Sequence, residues 1–377
     1  MALTVLEPTS HTVNFMAGAD VDVAVLGAGQ AGLSGAYYLV KFGVDRSLIV
    51  DHYERPGGAW QHRWPTLTLA TANRVHDLPG LGIVEALGTD CDALPAASAV
   101  PEYFGQYEDK FGIEVQRPVH VRRVRPDPAG FAIDHVRDGR DATVIASTLI
   151  NATGTWDRPF IPFFAGRNTF RGTQLHTHDY RGPADFAGRR VLVVGAGISA
   201  VQLLIEIGRE APGAQTFWCS RREPVFDPGP FSPERGREAV ARVERRVRAG
   251  LPPTSVVSVT GLPENDSIRA ARRDGLLRWR PMFTAIDADG VTWDTGERLD
   301  VDVLLWCTGF RSSLDHLGPL HLREAGGGIT MTGRLATTVA ADHRIQLLGY
   351  GPSASTIGAN RAGREAARNV AEYLGLT

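Results

Sequence analysis

The sequence predicts an α/β protein made of two parallel-sheet units, one inserted into the other. Three observations carry that prediction. A strand, a glycine turn and a helix follow one another twice, beginning at Val21 and again at Val191. A second apolar run follows each helix: "SLIV" at 47–50 and "QTFWC" at 215–219. Two similar segments, "NATGTW" at 151–156 and "WCTGF" at 306–310, flank the second copy. With 377 residues the chain is long enough for two domains and a large buried core.

The first unit opens with Val21–Leu26, a β-branched apolar run that reads as a buried strand. "GAGQAG" follows at 27–32, and "LSGAYYLVK" reads as the helix after it. This is G-x-G-x-x-G in the setting the motif requires. Gly27 allows the tight turn, Gly29 lets backbone approach a pyrophosphate, and Gly32 lets helix and strand pack closely. The helix N-terminus, with Gln30 and Ala31, offers free N–H groups to the phosphates. "SLIV" ends at Asp51, whose carboxylate is placed to accept from both hydroxyls of an adenosine ribose. "PGGAW" at 56–60 then brings Gly58 and Trp60, a glycine pair suited to backbone lying along a long dinucleotide. That combination points to FAD.

The second unit repeats the grammar in "RRVLVVGAGISAVQLLIEI". Val191–Val194 is the strand, Gly195, Gly197, Ser199 and Ala200 belong to the turn, and alanine is an accepted third member. Where the first unit has Asp51, this one has Ser220-Arg221-Arg222. A carboxylate there would repel a 2′-phosphate, whereas a hydroxyl and two guanidinium groups would bind it. The second site is therefore expected to prefer NADPH. FAD with NADPH is the redox core of a flavoprotein.

These motifs together resemble the flavin-containing monooxygenases, over nearly the whole chain from Val21 on. The paired turns, "PGGAW", "NATGTWDRPFIP" at 151–162 and "WCTGF" carry the resemblance, together with the fingerprint F-x-G-x-x-x-H-x-x-x-Y through Phe170, Gly172, His176 and Tyr180. The fingerprint ends Tyr180-Arg181, which is closer to the N- and S-oxygenating branch than to the ketone-oxidising Baeyer–Villiger branch. The resemblance implies a small soluble bacterial-type enzyme in which NADPH reduces FAD. A C4a-hydroperoxyflavin then passes one oxygen atom of O2 to an amine or sulfide. It adds Val121, Thr153 and Gly154 to the FAD site and Thr308 and Gly309 to the NADPH site. Asn73 is the candidate hydrogen-bond donor to the peroxide, with a turn-capping asparagine as the alternative. His176 is expected to be structural.

The implied architecture has Rossmann-like domains, the NADPH domain lying within the FAD domain. An N-terminal leader would cover 1–19, the FAD domain 20–160 and 300–377, and the NADPH domain 161–299. Within the insert, 233–250 reads as an amphipathic helix with Val240, Val243 and Val247 on one face, and Asp294-Thr295-Gly296 as a hairpin turn.

The other functional classes have less support. Net charge is −2, which asks for neither nucleic acid nor an anionic membrane. No C-x-x-C is present and no metal is expected. The first twenty residues lack a basic stretch followed by an apolar core, so no signal peptide is read there, and three scattered cysteines suit the cytoplasm. The expected partners are a small-molecule substrate and O2, with room for a homo-oligomer. An NAD(P)H oxidase or reductase, a ketone-oxidising enzyme and a non-catalytic redox sensor are the alternatives.

Overall fold

The computed structural model describes residues 20–72, 75–227, 233–254 and 261–376. The first sheet is built around β1 (Asp20–Leu26), with β2 (Ser47–Val50) on one side and β6 (Arg140–Asn151) on the other, all parallel. β3 (Val115–Gln116) extends it beyond β2, and Ile345–Leu347 joins β6 in parallel. A meander of β4 (Val119–Asp127) and β5 (Gly130–Arg137) pairs antiparallel onto β6. From Val23 to Leu26 β1 is buried on both faces, as that apolar run requires. The helices Gln30–Lys41 and Thr356–Tyr373 pack together over this sheet. Gly363 touches Ser34 and Gly35 so closely that a Cβ would lie 2.7 Å from Ser34 Oγ.

The second sheet is wholly parallel, in the order Trp279–Pro281, β9 (Gln215–Ser220), β8 (Arg190–Val194), Val303–Trp306 and β7 (Thr173–His176). Val303–Trp306 corrects the boundary expected at 300. That strand is paired on both sides inside the second sheet, so the chain returns to the first sheet only after Trp306. Its four side chains are buried, whichever sheet they fill. The expected hairpin forms: Gly290–Thr292 pairs with Arg298–Asp300 around residues 294–296. The helix expected over 233–250 spans Pro233–Arg248. Val243 and Val247 are buried, and Val247 covers the turn Gly351–Ser353.

The two crossings between the sheets run side by side and are hydrogen-bonded. Phe160 N donates to Gly309 O (2.9 Å), Arg311 N to Arg158 O (2.8 Å) and Ser313 N to Gly154 O (2.9 Å). Each Thr-Gly threonine reaches the opposite crossing. Thr153 Oγ1 donates to Ser313 O (2.6 Å), and Thr308 Oγ1 donates to Phe160 O. Gly154 and Gly309 both have positive φ, 64° and 77°, and face open space.

Candidate functional site

The first glycine turn divides its labour as the motif requires. Gly27 has φ 98°, and a Cβ there would lie 2.5 Å from Ala152 O. A Cβ on Gly32 would lie 1.9 Å from Gly27 O, inside any allowed contact. A Cβ on Gly29 would meet nothing within 4 Å. The turn is thus crowded where it meets protein and open where a phosphate would approach. Gly58 lies over it, its φ 51° and its would-be Cβ 3.0 Å from Gly29 Cα. Gln30 donates through Nε2 to His76 O (2.7 Å) and Asn360 Oδ1 (3.1 Å), leaving its buried Oε1 without a partner. An open cradle of backbone N–H groups and an orphaned polar atom beside it fit a bound dinucleotide.

Asp51 is buried and turned onto the turn itself. Its Oδ2 accepts from Ala28 N (2.6 Å) and its Oδ1 from Tyr53 N (2.9 Å). Each oxygen keeps a further lone pair for a ribose hydroxyl. Beside it opens a cavity of about 350 Å³, whose lining includes Gly27, His52, Val121, Thr153, Asp157 and His316. Val121 and Thr153 were expected at this site. His52, Asp157 and His316 were not, although His52 adjoins Asp51 and Asp157 follows the first Thr-Gly segment. Asp157 accepts from Tyr53 Oη (2.9 Å) and pairs with His52 Nε2 (3.3 Å). Asp157 is held below the usual carboxylate range: burial opposes ionisation, but the His52 and Tyr53 contacts outweigh it.

Trp60 belongs to a second feature that sequence reasoning missed. The Arg63 guanidinium lies 5.4 Å from the Trp60 ring centroid and 4.5 Å from that of Trp156, and its buried Nε has no hydrogen-bond partner. Burial lowers its pKa to about 10, which still leaves it charged at neutral pH. Trp156 in turn stacks on Phe310 of the other crossing, at 5.1 Å. Asn73 lies outside the described residues.

The second turn matches the first in plan. A Cβ on Gly195 (φ 146°) would lie 2.2 Å from Cys307 O, while one on Gly197 would meet nothing within 4 Å. Ser199 is half-buried in the first helical turn, and Ala200 is buried. Arg221 and Arg222 are exposed at the end of β9. Ser220 differs from expectation. It is buried, its hydroxyl donates to Arg222 O (2.6 Å) and accepts from Trp279 Nε1 (2.9 Å), so it shapes the arginine loop rather than facing a phosphate.

The fingerprint residues sit around the crossings. Phe170 is buried against the second sheet, and Gly172 passes so close to Asp302 that a Cβ would lie 2.5 Å from its carbonyl oxygen. Tyr180 is buried between Phe186, stacked at 5.6 Å, and Trp64, edge-on at 6.1 Å. His176 Nδ1 accepts from His178 N (3.1 Å), so its proton sits on Nε2, which donates to Gly309 O (3.0 Å). That geometry requires the neutral ring. Burial lowers the pKa below 6.5, and the Gly309 bond offsets only part of this.

The unfolded chain therefore takes up protons at His176 before the native one does. The stability His176 contributes is complete above its unfolded value and is lost as pH falls through the native one. The melting temperature is expected to fall on acidification below about pH 6.5. His176→Gln should show a shallower fall from a lower plateau. Thermal denaturation from about pH 8 to pH 5 checks the difference in slope.

Among the described residues no group of three or more His, Cys, Asp or Glu is arranged to hold a metal ion. No helix among them is long and apolar enough to cross a membrane.

Comparison with known proteins agrees with this geometry. Residues 24–232 match the family described as pyridine nucleotide-disulphide oxidoreductase. The structure is similar to a flavin-containing monooxygenase from Stenotrophomonas maltophilia, at 33% identity and TM-score 0.78, covering 94% of this chain and 99% of that one. In sequence it is 31% identical to the uncharacterized oxidoreductase CzcO of Bacillus subtilis (strain 168), over 78% of this chain and 82% of that protein. It is 30% identical to the indole-3-pyruvate monooxygenase YUCCA1 of Oryza sativa subsp. japonica, over 49% of this chain and 44% of that protein.

Proposed function

The chain belongs to the pyridine nucleotide-disulphide oxidoreductases and, within them, to the flavin-containing monooxygenases, and on that footing we propose that it uses FAD and NADPH to insert one oxygen atom of O2 into an amine or sulfide. It is an oxidoreductase of the flavin monooxygenase kind, which implies FAD and a nicotinamide cofactor. The observation that carries the reading is the pair of glycine turns, each closed against protein and open at its middle glycine, with the bonded crossings between them.

FAD, when bound, would supply the oxygen-activating chemistry. The protein's own residues have four tasks. Gly29, Gly58 and the first turn of helix Gln30–Lys41 hold the pyrophosphate, and Asp51 holds the ribose. Gly195, Gly197, Ser199 and Ala200 hold the nicotinamide dinucleotide. Thr153-Gly154 and Thr308-Gly309 let both cofactors approach the crossings. Asn73, outside the described residues, is the candidate donor toward the oxygen that FAD would activate. The buried, unpaired cysteines Cys91, Cys219 and Cys307 favour this over a dithiol reductase; burial pushes Cys219 and Cys307 up to about 12. Unpaired thiols also suit the cytoplasm.

Arg221 and Arg222 carry the preference for NADPH, since Ser220, not a carboxylate, stands at the position that Asp51 holds in the first unit. Replacing both by alanine is expected to raise KM for NADPH about tenfold or more, the loss of one or two charge-assisted hydrogen bonds, and to leave KM for NADH unchanged. Steady-state kinetics with the two cofactors measures this.

The reaction itself is tested by product analysis with NADPH, O2, one aryl methyl sulfide and one cyclic ketone. Sulfoxide in step with NADPH consumption is expected. Hydrogen peroxide alone would establish an oxidase, lactone a Baeyer–Villiger enzyme, and no NADPH consumption a sensor.

A further inference from the structure

His316 comes from the 3₁₀ turn Asp315–Leu320, packed on β4, and lines the cavity beside Asp51. Its Nε2 lies 2.6 Å from Asn151 Oδ1. The protons along the chain beyond it can be assigned. Thr153 Oγ1 is 2.6 Å from Ser313 O, and two oxygens come that close only with the hydroxyl proton between them. Thr153 has no second proton, so its 3.0 Å neighbour on Asn151 is the amide nitrogen, a donor. The Asn151 carbonyl oxygen therefore faces His316, and Nε2 carries the ring proton. Nδ1 is left as a bare acceptor, with no hydrogen-bond partner among the described residues. Burial holds the ring pKa down at about 4, so the acceptor persists at neutral pH.

The cavity runs from the phosphate turn at Gly27 to Val119, His120 and Val121 on β4, and so starts where a pyrophosphate would lie. Asp157 is committed to Tyr53 and His52, and Thr153 to Ser313, while the exposed His120 meets the ring of His52. Resting on the reading that the first turn binds FAD, we propose that His316 is a fixed hydrogen-bond acceptor for the adenosine half of that cofactor. The donor is the adenine 6-amino group or a ribose hydroxyl. The relay ties this contact to Thr153, in the crossing between the sheets.

The test is equilibrium binding to apoprotein, read by flavin fluorescence quenching, with no turnover involved. His316→Leu is expected to raise Kd for FAD about tenfold, the worth of one hydrogen bond, and His316→Gln, which keeps an acceptor oxygen, by less. FMN, which has no adenosine, should bind wild type and both variants alike. Two analogues locate the donor: FAD with hypoxanthine for adenine, and FAD lacking a ribose hydroxyl of the adenosine. One of them should bind wild type more weakly than FAD does, yet match FAD on His316→Leu. Equal losses of FMN and FAD in His316→Leu, or wild type and variant ranking all the analogues alike, overturn the proposal. Failure of wild type to bind FAD at all overturns the underlying FAD reading instead.

Discussion

Replacing Gly32 by alanine is expected to give a chain that retains no flavin and loses at least about 3 kcal/mol of stability, the upper range for forcing a methyl into packed protein. The would-be Cβ lies 1.9 Å from the carbonyl oxygen of Gly27, and that oxygen belongs to the turn itself. No rotamer relieves a backbone contact, so the helix must move off β1, taking with it the N–H groups that would face a pyrophosphate. Gly29 is the matched control. Its φ of −77° suits any residue, and its Cβ would meet nothing. Gly29→Ala should therefore keep apoprotein stability within about 1 kcal/mol, the range of helix N-cap effects, while filling the space a phosphate needs. The melting temperature of the apoprotein and the ratio of flavin to protein absorbance separate the two. A flavin-bearing, normally stable Gly32→Ala protein would show that the turn does not pack as described.

The second large effect lies beside Asp51. Arg117 makes a bidentate pair with Glu108, both bonds 2.7 Å and both side chains about nine-tenths buried. Arg117 follows β3, and its neighbour Gln116 accepts from Asp51 N (3.0 Å). Burial pushes the Glu108 pKa up even with the guanidinium beside it pulling it down. Arg117→Leu leaves that carboxylate buried and alone, and is expected to cost about 3–5 kcal/mol. The double variant Glu108→Leu/Arg117→Leu should recover most of the loss, because the penalty is the unpaired charge and not the missing bond. The sign with pH follows. A carboxyl whose native pKa is raised carries its penalty above that pKa and sheds it as pH falls through it, so the single variant should gain on wild type under mild acid. Urea denaturation at two pH values measures both.

What the sequence made legible was what is local in it. Phosphate-binding turns constrain six consecutive backbone positions, so glycines at 27, 29 and 32 announce themselves. Helix Pro233–Arg248 and the hairpin at 294–296 were readable for the same reason. Contacts between distant residues were not. Ser220 stands where a phosphate-binding hydroxyl was expected, but Trp279, 59 residues on, claims it. Arg63 reads as one more surface cation until Trp60 and Trp156 close on it. The run 303–306 announces a buried strand, yet apolar periodicity cannot say which sheet will take it. His316 lies 165 residues from the asparagine that fixes its proton, and no spacing rule joins them.

The paired crossings bear on how the chain folds. Because Phe160 and Gly309 are hydrogen-bonded, the stretch between them leaves and rejoins the outer sheet at a single point. To that sheet the whole insert is one closed loop, and loop-closure entropy grows only with the logarithm of loop length, about 0.6 kcal/mol per doubling. The strand Ile345–Leu347 can therefore find β6 at little more entropic cost than if a far shorter loop joined them. An insert anchored in this way can lengthen, shrink or be exchanged during evolution with little penalty to the unit that carries it.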